Sequence, residues 1–378
     1  MEFKKLKAVM DSLPAYGIPG CDAIAMKDHK VIFRYSAGFA DTDTGRKLSS
    51  NELFYMYSCT KPVTVTAALQ LYERGKFLMS DPVAAYLPEF ATVRVRNGAY
   101  TVDTETPVTM KHLFTMTAGM SYNLTSAYIQ EVRERTNGRC PTRETVAAMA
   151  KMPLDFQPGT HFQYSLCHDV LAAVVEVISG ERFSEYVRKN ILLPCGMNES
   201  GFRETEEVRS RLAPQYRYND KTKRAEKTPL SNMYILGSEY DSGGAGLISS
   251  VADYIKFEDA LACDGVSALG ERILSPRTVK MMRRNCLCGE ALSEFRRRFP
   301  GLSDYGYGFG VRTMDGSDPT GGSLSPSCEF GWNGAAGSYA MIAPDEHVSL
   351  FYAQHMLNNK EAYVHPRLRN SFFADLDQ

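Results

Sequence analysis

The chain has 378 residues, of which 44% are hydrophobic, 23% charged and 11% aromatic, and its formal net charge is −1. A chain of this length can bury a large core without disulfide or metal cross-links, as one large domain or as two interleaved ones. The balanced charge excludes bulk attraction to nucleic acid or to an anionic membrane surface.

The nine cysteines are scattered without the spacing of a disulfide framework. Cys286 and Cys288 form a tight pair, but a single pair does not predict a zinc site. Residues 1–11 have the pattern of a short amphipathic helix and not of a signal peptide, and no apolar run reaches the length of a membrane span. We therefore expect a cytoplasmic protein with reduced thiols and without a metal or cofactor.

The N-terminal part of the chain predicts strands followed by a helix. Two apolar runs, 21–26 and 30–36, flank a turn-like segment and predict an antiparallel hairpin. A strand-like aromatic run at 54–57 then enters a helix that ends at Gly75. Residues 94–103 are polar, and we expect a loop there.

Helical patterns fill the middle of the chain, and strand patterns return near its end. The middle segments with helical patterns are 126–135, 143–151, 169–178 and 183–191. The charged run at 221–227 that follows predicts an exposed hairpin or loop. Two more helices are expected at 251–263 and 275–285. The last segments predict three strands and a terminal helix, at 307–313, 337–343, 347–355 and 366–376.

Strands at both ends and helices between them predict an α+β fold of the α/β sandwich type. In this fold a mainly antiparallel sheet is assembled from both chain ends and flanked by helices, and a helical domain is inserted. We place the sandwich domain at 1–75 and 240–378 and the mainly helical insertion at 76–239, with the functional site at their junction.

Ser58 and Lys61 form a Ser-x-x-Lys motif at the start of a predicted helix. A spacing of three residues places the hydroxyl and the amine on one helix face. This arrangement suits a serine nucleophile with a proton acceptor one turn away, and the helix N-terminus stabilises developing negative charge. The same pattern also arises by chance from a capping serine and a solvated lysine, so other parts of the chain must decide.

Two further stretches carry chemistry. Tyr164-Ser165-Leu166 places a phenol hydroxyl on a turn after Pro158 and Gly159. The glycine-rich residues 331–337 lack the side chains that would keep a substrate away from the backbone.

With the blocks around them, these stretches resemble the penicillin-recognising serine hydrolases, in particular the branch of class C β-lactamases, DD-peptidases and family VIII esterases. Ser58-Cys-Thr-Lys61 with the segments 66–76 and 81–88 is similar to the nucleophile block of that family. Further blocks that match in order and spacing are 108–119, 158–165, 243–253, 307–310 and 331–337. The resemblance therefore covers most of the chain, and it implies the same fold.

The resemblance also implies roles for individual residues. Ser58 is the acylated nucleophile, Lys61 helps to activate it, and Tyr164, hydrogen-bonded to the lysine, acts as general base and then as acid. The backbone N–H groups of Ser58 and Ala335 form the oxyanion hole. The sequence leaves open whether Lys61 or Tyr164 is the true base.

Two departures from the family pattern bear on the substrate. Trp332 stands where β-lactamases carry Lys and many relatives His, and Leu166 stands where they have Asn. A cation can hold a substrate carboxylate, whereas Trp332 offers an aromatic wall and one N–H donor. This combination resembles the esterase branch. The predicted substrate-binding residues are Trp332, Asn333, Gly334, Leu166 and Tyr57.

We therefore expect a carboxylesterase that acts on small acyl esters through an acyl-enzyme at Ser58. The alternatives are a β-lactamase or D-amino-acid-specific peptidase, and a catalytically silent binding protein that keeps the fold. The expected partner is a small-molecule ester or amide, with no nucleic acid or membrane. His161 and His168 suggest a Ser-His-Asp triad, but no Gly-x-Ser-x-Gly elbow exists, so we expect structural roles for both. The sequence predicts neither the natural substrate nor the oligomeric state.

Overall fold

The computed structural model describes residues 2–316 and 321–378 and combines strands with helices throughout. The strands are β1 (Gly20–Lys27), β2 (Lys30–Asp41), β3 (Arg46–Lys47), β4 (Leu53–Tyr55), β5 (Arg94–Asn97), β6 (Tyr100–Asp103), β7 (Gln215–Asn219), β8 (Arg224–Thr228), β9 (Ile248–Ser250), β10 (Tyr305–Tyr307), β11 (Arg312–Met314), β12 (Phe330–Gly331), β13 (Tyr339–Ala343), β14 (Val348–Ala353) and β15 (Met356–Leu357). The α-helices are α1 (Lys4–Ser12), α2 (Thr60–Glu73), α3 (Met110–Phe114), α4 (Ala127–Arg135), α5 (Thr142–Met149), α6 (Cys167–Ser179), α7 (Phe183–Val187), α8 (Glu206–Arg211), α9 (Val251–Ala262), α10 (Pro276–Met282), α11 (Gly289–Arg298) and α12 (Glu361–Leu376).

The main sheet has eight strands in the order β10-β11-β12-β13-β14-β1-β2-β3. All its strand pairs are antiparallel. Strand β14 pairs with β1 from Asp22↔Ala353 to Lys27↔Val348, so the two ends of the chain meet in the middle of the sheet. The prediction of an α+β fold with a mainly antiparallel sheet built from both chain ends is therefore confirmed.

Both faces of this sheet are covered, as β13 illustrates. Tyr339 and Met341 belong to the core that the sheet shares with α1 and α12, whereas Ala340 and Ile342 belong to the core on the side of α9. Successive side chains of a strand point to opposite faces, so an unbroken apolar strand must have cover on both sides. On the α9 side Tyr254 stacks on Phe351 with their ring centroids 4.3 Å apart.

Three expectations from the sequence are corrected. The polar segment 94–103 is not a loop but the hairpin β5–β6, because Gly98 at φ +60° supplies the left-handed residue that a two-residue turn requires. The strand expected at 307–313 is two strands, β10 and β11, with a turn at Gly310 between them. The terminal helix begins at Glu361, five residues before Pro366.

The chain between β4 and β9 holds helices α2 to α8 and the two hairpins β5–β6 and β7–β8. Helix α6 packs against α2, α3, α5 and α7, so it is the centre of this helical part. Among the described residues, no helix combines the length and apolar character needed to cross a membrane.

Candidate active site

A pocket of about 560 Å³ lies between the segment that begins α2 and the glycine-rich residues 331–337. Its walls come from seven separate parts of the chain. The lining residues are Ser58, Tyr122, Asn123, Leu124, Thr125, Tyr164, Met233, Tyr234, Arg298, Phe299, Trp332, Asn333, Gly334, Ala335 and Glu361. Of the predicted site residues, Ser58, Tyr164, Trp332, Asn333, Gly334 and Ala335 are therefore brought together on one surface.

Ser58 lies in a short 3₁₀ turn, Tyr57–Cys59, that leads directly into α2. Tyr57 has φ +47°, a left-handed conformation that is costly for an aromatic residue. Its hydroxyl is held in place by Gln215 Nε2 at 2.5 Å and donates to the carbonyl of Ser231 at 3.2 Å. These contacts keep the strained turn closed and leave the Ser58 side chain partly exposed to the pocket at the positive end of a helix.

Lys61 is fully buried beneath Ser58. Its Nζ donates to Ser58 Oγ at 3.1 Å and to the carbonyl of Gly244 at 2.8 Å. No carboxylate within residues 2–316 and 321–378 forms an ion pair with it. Because burial disfavours the charged ammonium, the pKa of Lys61 falls to about 7. The lysine is thus a proton acceptor close to neutral pH.

Two tyrosines enclose the Lys61 amine. The sequence predicts a hydrogen bond between Lys61 and Tyr164, but in the structure Nζ lies over the Tyr164 ring, 4.6 Å from its centroid. Of these two tyrosines, it is Tyr122 whose hydroxyl lies within hydrogen-bonding reach of Nζ, at 3.4 Å. The Tyr122 and Tyr164 rings stack with centroids 5.8 Å apart. The prediction is therefore corrected, because the stacked ring of Tyr164 faces the amine.

Tyr164 is connected to Trp332, since the indole Nε1–H donates to its hydroxyl at 3.0 Å. Burial raises the pKa of the Tyr164 phenol, and hydrogen bonds with Ser58 and Trp332 partly oppose that rise. The resting side chain is therefore a neutral phenol whose oxygen lies between Ser58 and the indole.

Hydrogen bonds hold the turn after Trp332 in place. Gly334 N donates to the carbonyl of Ser338 at 2.8 Å, and the Asn359 amide donates to the carbonyls of Gly334 and Ala335 at 3.2 and 2.9 Å. Ser338 Oγ in turn donates to the carbonyl of Met56, two residues before Ser58. This side chain therefore links the glycine-rich turn to the segment that carries Ser58.

Two predicted substrate contacts do not line the pocket. Tyr57 and Leu166 are each 1% exposed and belong to the packed interior. Tyr57 turns its hydroxyl toward Gln215, and Leu166 precedes the apolar helix α6, so the local fold directs both side chains inward. His161 pairs with Glu294 at 2.8 Å and His168 is fully buried, and neither lines the pocket.

Several polar residues of the site were not predicted. Asp169, on α6, is buried and accepts hydrogen bonds from Tyr240 and Ser242, and its charge opposes the fall in the pKa of Lys61. A carboxylate in the first turn of a mostly apolar helix was the available signal. Arg298 and Glu361 reach the pocket from distant segments, and no local pattern marks them.

The structure also contains one group of three potential metal ligands among its described residues, His29, Asp259 and Cys263. It does not line the pocket. Asp259 there already accepts from the His29 backbone and lies 2.7 Å from the His29 ring nitrogen. This group is therefore separate from the candidate active site.

A partly exposed serine at a helix N-terminus, hydrogen-bonded to a buried lysine and flanked by a tyrosine, is the arrangement of a nucleophilic serine hydrolase. Comparison with known proteins supports this class. The model of the family described as Beta-lactamase matches residues 6–371. The chain belongs to this β-lactamase family, and it is a serine hydrolase with its fold.

Three relatives illustrate the similarity. Protein Rv1367c of Mycobacterium tuberculosis is 29% identical over 349 residues, which cover 89% of this chain and 85% of that protein. Esterase EstB of Burkholderia gladioli is 31% identical over 278 residues, which cover 68% of this chain and 69% of the esterase. The solved structure of EstCE1, described as a hydrolase with promiscuous acyltransferase activity, has a TM-score of 0.79 at 22% identity and covers 98% of both chains.

Proposed function

We propose that this protein is a carboxylesterase that acts on small acyl esters through an acyl-enzyme at Ser58. One observation carries the proposal. Ser58 Oγ lies 3.1 Å from a lysine with a pKa of about 7, in a pocket whose wall carries Trp332 in place of a cation. Esterase EstB, similar over two thirds of the chain, supports ester chemistry.

The lowered pKa of Lys61 and the raised pKa of Tyr164 favour Lys61 as the proton acceptor in the first step. Neutral Lys61 takes the proton of Ser58 as the serine oxygen attacks the ester carbonyl and forms a tetrahedral adduct. Tyr164, whose pKa is raised, begins as a phenol and cannot be the primary base near neutral pH. It passes a proton to the departing alcohol and regains one from Lys61, whose amine turns from the Tyr164 ring to its hydroxyl for this step. Water then attacks the acyl-enzyme by the reverse route and releases the acid.

The oxyanion of the adduct is stabilised by the backbone N–H groups of Ser58 and Ala335. The Asn359 amide donates to the carbonyl of Gly334 at 3.2 Å. In a trans peptide the carbonyl and the following N–H point in opposite directions. The Gly334 carbonyl points toward Asn359, so the N–H of Ala335 points away from it. Removing one such donor from a hydrolase typically costs on the order of 10²–10³ in kcat.

The pocket walls favour a small, relatively apolar acyl group. Tyr122, Tyr164, Tyr234, Phe299 and Trp332 supply five aromatic rings around Ser58. Such walls bind hydrocarbon, and the position where β-lactamases carry a cation for a lactam carboxylate holds Trp332, which leaves Arg298 as the arginine of the pocket wall. Trp332 directs its one donor to Tyr164 and not to a substrate.

The proposal is tested by intact-mass analysis after exposure to a fluorophosphonate, together with kinetics on p-nitrophenyl butyrate and nitrocefin. We expect a single covalent adduct on the native protein and none on Ser58→Ala. A matched control is Ser231→Ala, which removes an exposed hydroxyl but keeps the carbonyl that accepts from Tyr57. Faster turnover of nitrocefin than of the ester would favour a β-lactamase, and the absence of any adduct would favour a silent binding protein.

A further inference from the structure

A second cavity, of about 90 Å³, adjoins the pocket that holds Ser58. Arg298, Phe299, Asn333 and Glu361 line both spaces and form the wall between them. The far side of the cavity is lined by Arg312 of β11, Tyr339 of β13, and His365 and Arg369 of α12. The cavity is therefore separated from the pocket that holds Ser58 by the residues of their shared wall.

Two arginines of this cavity are buried, with Arg312 0% and Arg369 3% exposed. Arg312 Nη2 donates to Glu329 at 2.9 Å and to the carbonyl of Ala340 at 2.9 Å. The second oxygen of Glu329 accepts from Tyr305 at 2.5 Å. Within the described residues, Arg369 has no ion-pair partner. Of these two guanidinium groups, that of Arg312 is paired with a carboxylate and that of Arg369 is not, among the described residues.

Three of the remaining donor atoms of these arginines have no acceptor among the described residues. Among the described residues, Nε and Nη1 of Arg312, Nε of Arg369 and the Tyr339 hydroxyl are buried without a hydrogen-bond partner. The guanidinium of Arg312 stacks over the Tyr339 ring at 4.4 Å, and that of Arg369 lies 5.1 Å from the Tyr305 ring. Buried donors of charged groups are costly when they are left unpaired, and the side chains that carry them all line this one cavity, which points to a ligand.

The carboxylates beside the cavity, Glu361 on its wall and Glu329 on Arg312, are outnumbered by its three arginines, Arg298, Arg312 and Arg369. Burial raises the pKa of Glu361, which accepts from the Asn333 amide at 2.5 Å. Burial also raises the pKa of Glu258, behind the sheet strand of Arg312, and lowers that of His365 to about 3, so the imidazole is neutral. The surplus charge of the cavity is therefore positive.

We propose that this cavity is a binding site for a small carboxylate, held by the guanidinium groups of Arg312 and Arg369 and by the Tyr339 hydroxyl. A carboxylate presents two oxygens to a guanidinium in a planar, bidentate geometry, and 90 Å³ is sufficient for a group of a few heavy atoms. The carboxylate is either a free short-chain acid or the acidic end of a substrate whose ester lies at Ser58. The site does not depend on the proposed esterase activity.

Binding is tested with sodium acetate, using acetamide and equimolar sodium chloride as controls, in the full chain with Ser58→Ala. The dissociation constant is measured by NMR of ¹³C-labelled acetate and by thermal denaturation. We expect saturable binding of acetate and none of acetamide. Arg369→Gln and Tyr339→Phe should weaken binding at least tenfold. Arg367→Gln, on the same helix but with its Nη1 on the carbonyl of Tyr363, should leave it unchanged.

Tyr339→Phe keeps the proposal testable if the arginine variants unfold, because the hydroxyl it removes has no hydrogen-bond partner in the described chain. Equal responses to acetate and acetamide, or unchanged acetate affinity in both Tyr339→Phe and a folded Arg369→Gln, would overturn the proposal.

The carboxylate is either a free acid or part of the substrate. Kinetics on p-nitrophenyl hemiglutarate and its neutral counterpart, p-nitrophenyl valerate, distinguish these two sources. If the substrate supplies the carboxylate, Arg369→Gln raises KM for the hemiglutarate at least tenfold and leaves KM for the valerate unchanged. If a free acid occupies the site, the two KM values change together while acetate binding is still lost. Failure of both esters to react would refute the esterase proposal alone, because the acetate measurement is independent of turnover.

Discussion

The indole N–H of Trp332 donates to the Tyr164 hydroxyl at 3.0 Å, and their rings stack with centroids 5.6 Å apart. The residue at the position where β-lactamases carry a cation therefore contacts the tyrosine to which we assign proton transfer. A donor to the hydroxyl stabilises a phenolate more than a phenol. Trp332 thus opposes the rise in the pKa of Tyr164 that burial causes.

Trp332→Phe tests this relationship. The variant keeps an aromatic ring but removes the donor, so the pKa of Tyr164 should rise and proton transfer to the leaving alcohol should slow. A hydrogen bond to a charged group contributes about 1.5–3 kcal/mol, so we expect kcat on ethyl butyrate, whose leaving alcohol needs that proton, to fall roughly 10- to 100-fold with KM little changed. The control is Phe299→Leu, since Phe299 packs edge-on against Trp332 and leaves its donor in place. Equal losses in both variants would indicate a packing role for Trp332.

The ionisation of Lys61 predicts the dependence of acylation on pH. Its pKa is lowered to about 7, and only the neutral amine accepts a proton from Ser58. The rate of acylation should therefore rise as the pH increases through about 7 and level off above it. The measurement is the rate of the acylation burst with p-nitrophenyl butyrate as a function of pH. A rate that falls over this range would exclude Lys61 as the base.

Asp169→Asn should move this profile in a defined direction. The negative charge of Asp169 raises the pKa of Lys61 against the effect of burial, so its removal lowers that pKa further. The rising limb of the acylation profile should then shift to lower pH. Asparagine keeps the oxygen that accepts from Tyr240 and Ser242 and loses the acceptor for the Gly244 N–H. Asp345→Asn is the control, because Asp345 pairs with Arg283 away from the pocket, and it should leave the profile unchanged.

Gly334→Ala tests the link between the glycine-rich turn and Ser58. A Cβ at Gly334 would lie 2.2 Å from Ser338 Oγ and 2.4 Å from the carbonyl oxygen of Met56, which cannot move without displacing the Ser58 segment. Overpacking of this kind costs about 1–3 kcal/mol of unfolding free energy, and kcat should fall with it. Urea denaturation and kinetics check both effects. At Gly201 an added Cβ would have no other atom within 4 Å. Gly201→Ala should therefore change neither the unfolding free energy nor kcat.

Deletion of the chain after Phe330 should destroy the fold. It removes β13 and β14, which lie in the interior of the eight-stranded sheet between β12 and β1. Strand β1 would lose its six-residue pairing with β14, and the facing core would open to water. We expect no soluble product on expression, whereas removal of the last two residues should be tolerated. A soluble, active truncated enzyme would contradict this prediction.

Local pattern was sufficient for much of the fold. The alternation of apolar and turn residues identified the β1–β2 hairpin, because a period of two and a tight turn are properties of neighbouring residues. It failed at residues 94–103, where polar side chains are compatible with a hairpin whose two strands lie on the surface. It also failed to locate the break at Gly310, whose positive φ ends one strand and begins the next.

By itself, the sequence determined the chemical types present in the site, because Ser58 and Lys61 are one helical turn apart and Tyr164 lies in its own recognisable block. Only the tertiary structure decided how they interact. Burial by surrounding segments lowers the pKa of Lys61, and the ring of Tyr164 faces the amine. Trp332 and Tyr164 are 168 positions apart, so their hydrogen bond exists only because the packed sheet and helices bring those segments together. Desolvation and long-range contacts are properties of the folded chain, and no local spacing specifies them.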